Sequence, residues 1–193
     1  YGGLGSNPFN PAMIGYALLL VSFPVEMTRW AGMHITATPE QTWLMFSGQS
    51  EVIDQITGAT PLDTFKIAAL KGIENNRFWL DDFGLNNFQL KSWMAINIAF
   101  LMGGMYLLYR KIISWHIPVS VIATLTLLSS VFFYWDNTHY ASPLLHLLSG
   151  ATMIGAFFIA TDPVSAATSL KGRLIYGAGI GALLYIIRTW GGY

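Results

Sequence analysis

The sequence predicts an all-α fold, a polytopic bundle of transmembrane helices interrupted by one long polar connection. Three observations predict it. Hydrophobic residues make up 53% of the 193 positions and charged residues only 10%, with a mean hydropathy of +0.48, which is too apolar and too poorly charged for an ordinary soluble domain. The apolar residues fall in runs long enough to be helices in a bilayer, where only helices or closed barrels satisfy their own backbone. No run alternates as a barrel strand would. The formal net charge of zero argues against partners held by bulk charge, such as nucleic acid. There is no cysteine, hence no disulfide, no thiolate nucleophile and no cysteine ligand for an iron–sulfur cluster, so electrons passing through this chain would need an organic carrier.

The chain reads as a single membrane domain, 1–193, and as part of a longer protein, because it opens on Tyr1 and stops at Tyr193 just after an apolar helix. Residues 1–30 form the first element. Asn7-Pro8 and Asn10-Pro11 each pair an N-cap with a residue suited to the first helical position, so a helix starts near Asn10 and runs to about Trp30. Its apolar part, Ala12 to Pro24, is short for a full crossing at about 1.5 Å per residue. Two readings stand: a broken helix whose start lies inside the membrane and directs N–H groups at a polar ligand, or a cap at the membrane surface.

Residues 31–90 are too polar to cross the bilayer and form the long connection. Thr38 with Pro39-Glu40 marks a helix start, Asp63 to Lys71 has helical spacing, and the run from Asn75 to Asn87 is polar and irregular. Connections of this length are often functional. Trp43, Phe46, Phe78, Trp79, Phe83 and Phe88 suit either the membrane interface or a face for an aromatic ring. Four further helices are expected in 91–193, at about Met94 to Tyr109, Ile117 to Trp135, Leu144 to Thr161 and Leu174 to Ile187. Arg110, Lys111, Lys171 and Arg173 occupy two alternate connections, whereas Asp136 to Pro143 has no Lys or Arg. The positive-inside rule puts 110–116 and 165–173 in the cytoplasm, and alternation then puts 31–90 outside.

Within that connection lies Asp54-Gln55-Ile56-Thr57-Gly58-Ala59-Thr60-Pro61, a D-x-x-T-G-A-T pattern. Gly58 and Ala59 leave the Thr60 hydroxyl uncrowded, and Pro61 prevents a helix from running through. The same residues also suit an ordinary turn. Together with Gly2-Gly3-Leu4-Gly5-Ser6-Asn7-Pro8-Phe9-Asn10-Pro11-Ala12 and Gly155-Ala156-Phe157-Phe158-Ile159-Ala160-Thr161-Asp162-Pro163-Val164-Ser165-Ala166, however, the pattern resembles the D subunit of the Rnf electron-transport complex over the whole chain. The B subunit of the sodium-pumping NADH:quinone reductase is a more distant likeness.

That resemblance implies FMN esterified through its phosphate to Thr60 by a flavin transferase, with Asp54, Thr57, Gly58 and Ala59 serving the attachment, and a second, unattached riboflavin in the bundle. It further implies a multi-pass protein of the bacterial inner membrane. Such a protein relays electrons to its neighbours during ferredoxin- and NAD-linked chemistry coupled to Na+ or H+ movement and is not catalytic alone. The family's fold is similar to that of urea transporters, which leaves a rival reading: a transporter or channel for a small polar solute. A channel has no use for a reachable Thr60.

Ser149-Gly150-Ala151-Thr152 repeats the end of the acceptor pattern, but with His146 where the first copy has Asp54. Inside the apolar run Leu144 to Thr161 it reads as a close helix–helix contact. Asp162 before Pro163 reads as the cap of a helix from Val164 to Thr168, and alternatively as a break lining a flavin or ion pocket. His34, His116, His139 and His146 lack metal-ligand spacing and read as structural.

Overall fold

The computed structural model describes residues 11–28, 30–31, 43, 57–58, 62, 65–66 and 88–191. Helix α1 is Pro11–Ser22 and α2 is Pro24–Thr28, so Pro24 divides the first element. Two short strands, β1 (Trp30–Ala31) and β2 (Thr57–Gly58), pair antiparallel with Trp30 opposite Gly58 and Ala31 opposite Thr57. All other described elements are helical: α3 (Phe88–Tyr109), α4 (His116–Trp135), α5 (Pro143–Leu148), α6 (Thr152–Ile154), a single π-helical segment Gly155–Ile159, and α7 (Leu170–Trp190).

Among the described residues, three helices are long and apolar enough to cross a membrane: α3, α4 and α7, of 22, 20 and 21 residues. At about 1.5 Å per residue each matches a hydrocarbon core of about 30 Å. Helix α3 ends in a Schellman turn, in which Ile112 N–H donates to Leu107 O at 3.0 Å and Lys111 N–H to Leu108 O at 2.9 Å. Lys111 takes the left-handed position there, with φ of 56°. Ser169 caps α7 by accepting from Gly172 N–H at 3.1 Å. Two hydroxyls inside α4 are satisfied within their own helix: Ser129 Oγ donates to Leu125 O at 2.8 Å and Thr126 Oγ1 to Ile122 O at 2.7 Å.

The principal helix pair is α4 with α7, and its closeness comes from Gly177 and Gly181, a G-x-x-x-G spacing. A Cβ on Gly177 would lie 2.8 Å from Ile117 O, and one on Gly181 2.7 Å from Val121 O. One turn further, Tyr185 is fully buried. Ser120 Oγ adds a bond to Leu174 O at 2.6 Å. Ile117, Val121, Met153, Ala156, Phe157 and Ala160 form the core between these helices and the broken segment.

Two sequence expectations change. The run Leu144 to Thr161 is not one helix but α5, a break at Ser149–Ala151, and α6 continuing into the π segment. Its small residues are the break, not a helix–helix contact. The stretch from Pro163 to Thr168 is turn and coil rather than helix, and the Asp162 carboxylate accepts from Ser165 Oγ at 2.7 Å. The chain's crossings then place the start of α3, the connection 136–142 and the end of α7 together at one end of the bundle.

Candidate functional site

The break is built from α5 upward. Ser142 starts α5 by accepting from Leu145 N–H at 3.3 Å, and Pro143 follows at the first helical position. After six residues the helix stops, leaving carbonyls that lipid cannot solvate. Two buried or half-buried side chains from other helices meet them. Asn97 of α3, only 1% exposed, donates through Nδ2 to Leu148 O at 3.0 Å and to Gly150 O at 2.8 Å, besides Trp93 O on its own helix at 3.0 Å. Its Oδ1 receives Met153 N–H at 3.4 Å. Arg188 of α7 donates through Nη1 to His146 O at 2.6 Å. Thr152 Oγ1 shares that carbonyl at 2.7 Å, and Ser149 Oγ donates to Leu145 O.

Gly150 is required at the centre for two reasons. Its φ is 108°, which L side chains rarely adopt, and a Cβ there would stand 3.1 Å from the Arg188 guanidinium. A cation at the C-terminal end of a helix is also favourably placed against the exposed carbonyl dipoles. Neither Asn97 nor Arg188 stood out in the sequence expectations. The available signal was a lone amide in the apolar α3 and a charge near the end of the apolar α7, residues that are functional candidates wherever they lie within a membrane.

A cavity of about 380 Å³ runs beside the break. One wall is the stripe Tyr176, Ile180, Leu184 and Arg188, spaced by one turn along α7, and Met13 of α1, Thr152 and Ser165 also line it. The adjacent face of α7, one residue on in each turn, carries the glycines that pack on α4. A second cavity of about 200 Å³ lies at the end of the bundle, between Phe65 and Lys66 of the long connection and Tyr140, His146, Thr189 and Trp190. Lys66 donates its amine to Gly191 O, and Phe65 is buried. Aromatic rings crowd this end: Phe132, Tyr140, Tyr185 and Trp190 lie with centroids 5.3 to 6.4 Å apart.

Of the sequence-predicted site, Thr57 and Gly58 form β2, so their backbone is held against Ala31 and Trp30. Asp54, Ala59 and Thr60 lie outside the described residues. His34 does too. The remaining histidines are apart: His116 stacks on Trp115 at the start of α4, His139 bonds Asp136 in the connection, and His146 is buried on α5. Asp136 accepts from Thr138 Oγ1 at 2.5 Å, Thr138 N–H at 3.0 Å and His139 Nδ1 at 2.8 Å. These bonds, the Thr138 hydroxyl first, lower its carboxyl pKa from 3.8 to about 2.

A bundle of membrane-length helices with one helix interrupted at membrane depth, its open carbonyls met by an amide and a guanidinium, defines a polytopic helical membrane protein built around a broken segment. Residues 1–193 match the model of the NQR2, RnfD, RnfE family, and the chain belongs to that family. It is 50% identical over 194 residues to the D subunit of the ion-translocating oxidoreductase complex of Alcanivorax borkumensis, covering all of this chain and 56% of the relative. The corresponding D subunits of Aliivibrio salmonicida and Cellvibrio japonicus are 48% and 47% identical, with 100% and 99% of this chain covered. The chain spans 59% and 55% of those two relatives, a little over half of their length.

Proposed function

We propose that this chain is the greater part of a membrane subunit of an ion-translocating electron-transport complex, and that it carries FMN as a phosphoester on Thr60. The observation that carries the reading is the D-x-x-T-G-A-T pattern from Asp54 to Thr60, in a chain about half identical to proteins named as part of such a complex. In this reading a flavin transferase attaches the FMN, and the modified segment 31–90 faces away from the cytoplasm of a bacterial inner membrane. Electrons pass between the flavin and redox groups in neighbouring subunits, with Na+ or H+ movement a property of the whole complex. The bound flavin would supply the electron-transfer chemistry.

The protein's own residues anchor and orient. Pairing of Thr57 and Gly58 with Ala31 and Trp30 holds the backbone just before Ala59 and Thr60. Burial of Phe65 and the bond from Lys66 to Gly191 hold it just after. Described backbone thus lies on both sides of the acceptor in sequence, at Thr57–Gly58 and at Phe65–Lys66, and the latter pair contacts the bundle. Asp54 and Thr57 would serve the transferase, and Gly58 and Ala59 give it room.

The test is the intact mass of the membrane-expressed full-length protein and of Thr60→Val, with the transferase present, alongside in-gel flavin fluorescence after denaturation. The expected result is a mass increment of one esterified FMN and a fluorescent band on the parent, both lost in the variant. An unmodified parent would refute the reading and favour a small-solute transporter, whose path the 380 Å³ cavity along α7 would provide.

A further inference from the structure

We propose that the 200 Å³ cavity at the end of the bundle receives the isoalloxazine ring of the flavin tethered at Thr60, and that His146 hydrogen-bonds the ring's polar edge. The inference rests on the reading that Thr60 carries FMN and adds the residues that hold the ring.

Four observations converge on it. His146 is 3% exposed, and its Nδ1 is a buried polar atom without a hydrogen-bond partner among the described residues. Native folds rarely leave such an atom unmatched, and a redox role, a water or an ion is among the reasons when they do. His146 lines this cavity together with Phe65, Tyr140 and Trp190. Those aromatic walls suit a flat π-system, since offset and edge-on ring contacts are favourable at the spacings this cluster keeps.

Reach is the third. Thr60 precedes Phe65 by five residues, so at most about 3.6 Å per residue separates the acceptor from the cavity wall, and the ribityl chain extends from it. Size and charge are the fourth. The cavity is smaller than the roughly 300–1,000 Å³ of sites that enclose a whole ligand, which suits a ring whose ribityl phosphate stays outside. Lys66 lines the same cavity, where its ammonium favours the remaining negative charge of a phosphodiester on Thr60. A neutral imidazole offers one donor and one acceptor nitrogen, so it can match either a carbonyl or an N–H on the ring edge.

The experiment uses the full-length protein, flavinylated by its transferase, as parent, His146→Leu, His146→Asn and Trp190→Leu. Mass spectrometry reports loading, native flavin fluorescence reports the ring's surroundings, and spectroelectrochemical titration reports its potential. Expected for His146→Leu is full loading with the oxidised-to-reduced ratio at fixed potential changed about tenfold, close to 30 mV for a two-electron couple. Asparagine, which keeps a donor and an acceptor, should restore most of the shift. Trp190 is 55% exposed and tolerates replacement, and leucine there should raise the native fluorescence about twofold or more by removing an aromatic quencher. Loaded His146→Leu and Trp190→Leu proteins with the parent's potential and fluorescence would overturn the ring site while leaving Thr60 modified. If His146→Leu does not fold, the Trp190→Leu fluorescence decides alone, and an unmodified parent overturns both readings.

Discussion

Replacing Asn97 by leucine tests whether the broken helix depends on one side chain. The amide is 1% exposed and donates to Leu148 O and Gly150 O, two carbonyls at membrane depth. Hydrogen bonds between membrane helices contribute on average about 0.6 kcal/mol each, so the lost pair sets a floor near 1.2 kcal/mol. Leaving a carbonyl dry adds its desolvation cost, about 1–3 kcal/mol where no water can enter. A total of about 2–4 kcal/mol follows. Leucine keeps the heavy-atom count and branching of asparagine and is the bulkier of the two, so no cavity is left and any overpacking adds to the loss. In a chain of this size about 2–4 °C is lost per kcal/mol, and the variant should therefore melt at least 4 °C or so below the parent. Asn97→Asp should be no better, since a carboxylate turns a third acceptor toward two others. The assay is thermal unfolding of the full-length protein in detergent. A melting temperature for Asn97→Leu within about 1 °C of the parent would refute the reasoning, because the break would then be held by something else.

Two further outcomes follow from the packing and the connection. Gly181→Ala places a methyl 2.7 Å from Val121 O, a backbone atom that cannot swing away, and should cost about 1–3 kcal/mol, whereas Gly179→Ala meets nothing within 4 Å and should be neutral or slightly stabilising; paired melting curves check the contrast. Asp136 has a folded pKa of about 2 against 3.8, so the stability it contributes is present above 3.8 and lost as pH falls through 2. Thr138→Val removes the hydroxyl bond that lowers it most, and carboxyl NMR titration should show the Asp136 midpoint moving up toward 3.8.

The membrane class and the long helices were legible because hydropathy is a sum over neighbours, and α3, α4 and α7 are each apolar over a whole crossing. Helix α3 begins at Phe88, ahead of the expected Met94, because the polar Gln89, Lys91 and Ser92 continue the helix without adding to its hydropathy. The break was not legible for the converse reason. Leu144 to Thr161 is as apolar as a continuous span, and what interrupts it is an amide 53 residues away from Gly150 and an arginine on the last helix. Such long-range bonds leave no periodic trace. Gly177 and Gly181 were readable as a close-contact spacing, but the Ser149–Thr152 repeat drew that assignment instead. The acceptor proposed at Thr60 was visible only as a motif, since no property of a single hydroxyl separates it from a turn.

The break and the cavity at the end of the bundle are two faces of the same few residues. His146 gives its carbonyl to Arg188 and Thr152 at the break and its ring to the cavity wall. On α7, Arg188 reaches the break, the next two residues, Thr189 and Trp190, line the cavity, and Gly191 receives Lys66 from the long connection. Helix α5 is only six residues long, capped at one end by Ser142 and held at the other by Asn97 and Arg188, so it has little freedom to tilt. A side chain on so constrained an element is a rigid mount, and cofactors are held most precisely by residues whose own positions are fixed by packing and hydrogen bonds. The broken helix therefore has a physical use that a continuous one could not serve as well. It turns backbone carbonyls toward α3 and α7, which lock His146 in place at the end of the bundle where Phe65 and Lys66 lie.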